Sequence, residues 1–211
     1  MELRVEKNIV TIVAAVVFAG AVFGLAYLGF TYYKDTLSAK AHDVFMQRYT
    51  EYEKLSADNK APGQDLIDSV ARGYNDYKNS AYAGFFLALQ AEIQGAQGNK
   101  QEALQSMTQA VSMMSSIDPV LYYTYATKLA LMQLDAADPA IQTKGRQSLE
   151  KLAFNSKNPV HDMAWFYMGY QALLDNDNQG VQTAWGRLFD AQKNPLSIWG
   201  MRAQSLLNYT A

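Results

Sequence analysis

The chain has 211 residues, 49% of them hydrophobic, with 18 Lys and Arg against 20 Asp and Glu and a net charge of −2. Scattered cations on a near-neutral chain argue against nucleic acid as the main partner. The absence of cysteine removes disulfides, thiolate catalysis and Cys-ligated zinc together.

Residues 1–7 make a tail too short to fold. Asn8 to Tyr33 then runs for 26 residues without a charged side chain. A hydrocarbon core of about 30 Å needs about 20 helical residues, so this stretch reads as a single transmembrane helix. Arg4 and Lys7 flank one end and Lys34 and Asp35 the other, while Tyr27, Phe30, Tyr32 and Tyr33 crowd the second end like an aromatic belt. Ala39-Lys40-Ala41 has the small-x-small form of a cleavage site, yet the apolar run is far longer than a signal-peptide core, and buried core helices rarely run past about 14 residues without a polar face. The expectation is an uncleaved anchor. Gly20 and Gly24, one turn apart, are the candidates for close helix packing in the membrane. Two cations before the helix (Arg4, Lys7) and two soon after it (Lys34, Lys40) leave its orientation open.

Residues 34–211 suffice for one domain. Val44, Phe45, Tyr49, Tyr52 and Leu55 recur at three- and four-residue spacing, which predicts an amphipathic helix over Lys34 to Ser56 that continues the anchor. Asn59-Lys60-Ala61-Pro62-Gly63 breaks it. Predicted helices follow at Gln64 to Lys78, Ala81 to Gln97, Lys100 to Ser115, Val120 to Ala136, Ala140 to Phe154, Val160 to Leu174, Gln179 to Gln192 and Leu196 to Asn208. Four of these follow Asp118-Pro119, Asp138-Pro139, Asn158-Pro159 and Asn194-Pro195, where the Asp or Asn oxygen can cap free amides and Pro has no amide to lose. No strand pattern is evident.

Pro119, Pro159 and Pro195 lie 40 and 36 residues apart. In the second helix of each hairpin a core position is followed by others four and seven residues on: Val70, Tyr74, Tyr77; Ala103, Met107, Ala110; Gly145, Leu149, Leu152; Val181, Trp185, Leu188. Such self-similarity marks an array of helical hairpins. Trp165-x-x-Met168-Gly169 with Trp185, and Ala91, Gly98, Ala103, Met107 and Ala110, resemble the tetratricopeptide repeat. The hairpin from Val120 to Phe154 departs from that pattern, with a longer turn and only Ala130 and Gly145 as small positions. The fold class expected is therefore all-α: one N-terminal transmembrane helix and a tetratricopeptide-like solenoid, with a plain helical bundle as the alternative.

The layout of short tail, anchor, hairpin and then Lys78-Asn79-Ser80-Ala81-Tyr82-Ala83 opening the repeats resembles the YfgM-type ancillary subunits of the bacterial Sec translocon. Asn176-Asp177-Asn178-Gln179-Gly180-x-x-x-Ala184-Trp185 is similar to the last repeat of that family. The resemblance implies a cytoplasmic tail, a periplasmic repeat domain in the inner membrane's service, and association with the translocon channel, a membrane-anchored chaperone of the prolyl-isomerase class, or exported clients. It supplies no catalytic motif and no cofactor.

Candidate chemistry is sparse. His42 and His161 lie in well-separated helices, and Asp162 beside His161 is expected to point elsewhere because helical neighbours diverge. Asp175-x-Asp177-x-Gln179-Gly180 begins like a calcium loop but has Gly186 at the twelfth position, which removes the bidentate ligand and favours a polar turn. Gly95 to Lys100 lacks phosphate-loop spacing and reads as a helix stop. Most methionines, Met107, Met113, Met114, Met132, Met163, Met168 and Met201, read as core. First helices of such hairpins line a groove, so Tyr82, Tyr122, Tyr125, Tyr167 and Tyr170 are the candidate protein-binding residues. An enzyme is disfavoured because acid-base or nucleophilic work needs converging polar groups. The functional expectation is a protein-binding module at the Sec translocon, with a scaffold of another envelope assembly as the alternative.

Overall fold

The structure is a computed structural model, described here for residues 31–115, 117–189 and 197–210. These residues are all-helical, with no strand among them. Helix α1 occupies 31–57, followed by α2 (Gln64–Asp76), α3 (Ala83–Ala96), α4 (Lys100–Met114), α5 (Pro119–Leu134), α6 (Pro139–Phe154), α7 (His161–Leu174), α8 (Asn178–Gly186) and α9 (Ile198–Thr210).

Three of the four hairpin turns use one device. Asn59, Gly98 and Asn176 take φ of 53°, 85° and 58°, the left-handed region open to Gly and tolerated by Asn. In each case the next amide donates to a carbonyl five residues back: Lys60 to Leu55, Asn99 to Gln94 and Asp177 to Ala172, at 2.8, 2.9 and 2.8 Å. This satisfies the orphan carbonyls that end α1, α3 and α7, and it turns the chain sharply enough for the next helix to fold back. The α5–α6 turn has no such residue, in keeping with the departure of that hairpin from the repeat pattern. Its helices start as the sequence demands: Asp118 and Asp138 accept from the amides of Leu121 and Ala140, with Pro119 and Pro139 in the first turn. Asp177 caps α8 in the same way through the Gly180 amide.

Helices α2 to α8 pack chiefly on their neighbours in sequence, α3 on α4, α5 on α6, α7 on α8, with α2 on α3, α4 on α5 and α6 on α7 between hairpins, while α9 packs back on α7. The core runs as three clusters along this series. Phe86, Leu89 and Ile93 of α3 join α1 and α2, and Leu87, Ala88 and Ala91 on the other side of α3 join α4 and α5. Because α3 is covered on both sides, it is apolar almost all round. The third cluster, from α5 to α9, is centred on Trp185, 1% exposed, whose indole N–H donates to the Phe166 carbonyl at 2.9 Å. Polar links between hairpins join groups one repeat apart in sequence: Gln97 to the Pro62 carbonyl and Lys100 to Asp135, at separations of 35. Quasi-one-dimensional packing of this kind is what a hairpin array requires.

Small residues stand where helices approach most closely. A Cβ on Gly145 would lie 2.8 Å from the Ala130 carbonyl oxygen, so α6 meets the α5 backbone directly at the two small positions singled out in that hairpin. Three expectations need correction. Helix α8 ends at Gly186 rather than Gln192. Gly is a poor helix residue, and the chain there closes in tighter bonds, Leu188 N–H to Trp185 O and Phe189 N–H to Gly186 O. Asn158 is not a helix cap but a fully buried clamp: its side chain donates to the Leu152 carbonyl and accepts from the Val160 amide, fastening the end of α6 to the start of α7. Met201 is exposed, since α9 turns that face outward.

Among the described residues no helix is long and apolar enough to cross a membrane. The anchor expected over Asn8–Tyr33, with Gly20 and Gly24, lies outside them except for residues 31–33, which form the first described turn of α1. Asn194-Pro195 also lies outside them.

Candidate functional site

The apolar positions of α1 at three- and four-residue spacing put Phe45, Tyr49 and Tyr52 on one face, turned toward α3. Phe45 is the hub of a ring array, with centroids 5.8 Å from Tyr49, 6.0 Å from Tyr82, 5.8 Å from Phe85 and 5.6 Å from Phe86. Phe85 carries the array on to Tyr125 of α5, edge to face at 6.1 Å. At its other end the Tyr82 hydroxyl and His42 Nδ1 share a hydrogen bond of 2.8 Å. First helices α1, α3 and α5 thereby share one continuous aromatic wall.

Two hollows open along this wall, of about 220 and 490 Å³, and both are bounded by Glu92 and Lys128. Lys128 Nζ lies 2.6 Å from Glu92 Oε1 and 5.1 Å from the centre of the Tyr125 ring. The pair bridges α3 to α5 at a separation of 36 residues and stays in partial contact with solvent. Three tyrosines feel the Glu92 carboxylate. Burial first, and then Glu92, push the Tyr125 hydroxyl up to about 12, with the same two causes raising Tyr52. Tyr49 is raised first by its hydrogen bond to Glu53, then by burial and by the charges of Glu53 and Glu92. All three hydroxyls therefore stay protonated, as hydrogen-bond donors, well above neutral pH.

The five tyrosines singled out from sequence fall into two groups. Tyr82 and Tyr125 belong to the wall, and Tyr122 packs against the same cluster of α3 and α4 as Tyr125, its ring 5.0 Å from Tyr123. Tyr167 and Tyr170 lie on α7 in a separate aromatic group: Tyr167 packs on Phe166 and on Trp199 of α9, and the exposed Tyr170 stacks on Phe166 at 6.3 Å. Phe45 and Tyr49 read from sequence only as the apolar face of α1, and Phe85, Glu92 and Lys128 are not singled out by it. Opposite charges one repeat apart, at 92 and 128, were the signal available for the last two.

The remaining polar candidates act locally. His161 Nδ1 bonds the Asn158 carbonyl and its Nε2 lies 3.2 Å from Asp162, so the expected divergence of those neighbours does not hold at the first residue of α7, where no preceding turn constrains the ring. Asp177 caps α8, and Asp175 pairs with Arg146 at 3.1 Å and accepts from Gln171. A further crevice of about 520 Å³ lies between α6, α7 and α8, with Trp165 and Leu149 in its floor and the Arg146–Asp175 pair on its rim. Its floor is the buried core of the third cluster, whereas the α1–α3–α5 wall presents partly exposed ring faces from three successive hairpins. That favours the wall as the binding face.

The chain matches no family model, no curated protein and no solved structure.

Proposed function

We propose that this chain is a membrane-anchored, tetratricopeptide-like protein-binding module, an ancillary or chaperone-linked subunit at the bacterial Sec translocon with its repeat domain in the periplasm. The observation that carries the binding role is the aromatic wall across α1, α3 and α5. Partly exposed rings suit an extended or helical segment, because large rigid side chains lose little rotamer entropy on contact. The resemblance to YfgM-type subunits supplies the translocon and the chaperone as partners. Helix α1 is already helical at residue 31, so Phe45 stands roughly 18 Å along the helix from Tyr33 at about 1.5 Å per residue. A wall that close to an anchor meets co-anchored partners at raised effective concentration, and weak contacts then suffice.

Two experiments test this reading. Protease added to intact spheroplasts should digest the repeat domain, and its protection would refute the periplasmic assignment. Affinity purification from solubilised membranes should recover channel subunits or the chaperone, and recovery of an unrelated envelope complex without them would shift the assignment to a scaffold of that complex. Releasing the domain from residues 1–33 should weaken recovery by orders of magnitude while leaving helicity intact.

A further inference from the structure

We propose that Glu92, ringed by Tyr49, Tyr52 and Tyr125, receives an arginine side chain of the bound segment, and that Lys128 fills this receptor in the free protein. The inference rests on the groove reading above and specifies what the groove selects. Lys128 already displays the chemistry of the site: a cation 2.6 Å from a carboxylate oxygen and 5.1 Å over a tyrosine face. Those two contacts are the ones a guest cation would make.

Charge decides the sign of the guest. Among the described residues bounding the two hollows, Glu92 and Lys128 are the only charged ones. Lys128 has a half-exposed side chain and an open route to water, so it can leave without being buried elsewhere. Once it leaves, the wall presents Glu92, with Glu53 bonded to Tyr49 at its edge, and no cation among those residues. An acidic segment would meet two carboxylates, whereas a basic one is attracted by both. Arginine fits better than lysine, since its planar guanidinium can span both carboxylate oxygens and stack on a ring at once. Ammonium engages one oxygen, as Lys128 engages Oε1. Tyrosine hydroxyls held protonated beside it can donate to the carbonyls of the segment's backbone.

The test uses full-length protein in detergent and three short fluorescein-labelled peptides, alike except for a central Arg, Gln or Glu between leucines, with binding read by anisotropy. Arg should bind at least about tenfold more tightly than Gln, and Glu most weakly. Glu92→Gln should shrink the Arg preference to within about twofold, while Lys128→Met, which removes the internal competitor, should tighten the Arg peptide several-fold and leave the Gln peptide unchanged. Circular dichroism of each variant checks helicity. If Glu92→Gln does not fold, the wild-type and Lys128→Met comparisons still decide. Equal affinity for Arg and Gln, with Tyr125→Ala weakening both, would overturn the receptor and leave the groove standing. Weaker Arg binding by Lys128→Met would also overturn it, and failure of all three peptides to bind would overturn the groove reading too.

Discussion

The α3–α4 and α7–α8 hairpins solve the same packing problem with different materials. Between α3 and α4 the contact is spread over Ala88, Ala91, Ala103 and Ala110 with Met107 and Met114 filling the gaps, and Gly84 lies under Met114. Between α7 and α8 it is concentrated in Trp185, whose indole lies so close over Gly169 that any Cβ there would overlap it. Length explains the difference. Helix α4 has 15 residues over which to distribute contact, while α8 has 9 and must bury its share through one large ring. A contact made of many small pieces tolerates the loss of one, and a contact made of one piece does not.

The largest expected effect follows from that contrast. Trp185→Ala should destabilise the domain from residue 34 by about 3 to 5 kcal/mol in urea unfolding, because it removes a fully buried ring together with its indole hydrogen bond to the Phe166 carbonyl. A loss under about 1 kcal/mol would break the comparison. Gly169→Ala should itself be destabilising by about 1 to 3 kcal/mol through overpacking, and combined with Trp185→Ala it should cost less than the sum, since the clash disappears with the ring. Additivity within experimental error would show that the two do not touch. Met107→Ala, also fully buried, should cost about 2 kcal/mol, the low end for such a truncation, because flexible neighbours such as Met114 can move into the gap. A loss equal to that of Trp185→Ala would contradict the account of distributed packing.

Much of this architecture was legible in the sequence, and the places where it was not have physical causes. Prolines after Asp118 and Asp138 located α5 and α6 because capping is local chemistry, and Gly98 with Asn99 located the α3–α4 turn for the same reason. Trp185 was legible as core because its spacing to Val181 and Leu188 leaves few alternatives. The end of α8 was misjudged, since a helix that stops at Gly186 and still buries Leu188 in a turn keeps the apolar spacing of a longer one. Groove residues were harder to see. Tyrosine on α5 and tyrosine on α7 look alike as text, yet Tyr125 joins the Phe45 array while Tyr167 meets Trp199 of α9, a partner no local pattern reveals. The Glu92–Lys128 pair depends on register between hairpins, which only the stacked array fixes.

A smaller effect depends on pH. The Tyr125 hydroxyl is pushed up to about 12 in the folded domain, against about 10 when unfolded, so its protonated form is favoured by folding. Its contribution is complete below pH 10 and is lost as pH rises from about 10 through 12, where the unfolded chain releases the proton first. Tyr125→Phe should flatten the stability profile in that window relative to the wild-type domain. An equally steep decline in the variant and the wild type would show that Tyr125 is not the group responsible.

The central claim is that the wall of α1, α3 and α5 is the working face. It is tested most directly by a photo-crosslinking residue placed in the full chain in native membranes, either at Met46, beside the 220 Å³ hollow, or at Phe154, on the crevice of α6 and α7. Both positions are exposed, at 41% and 60%, so accessibility does not bias the comparison toward the wall. The account predicts adducts to a translocon channel subunit or to the membrane-anchored chaperone from position 46 and none from position 154. Adducts to those partners from position 154 alone would contradict it.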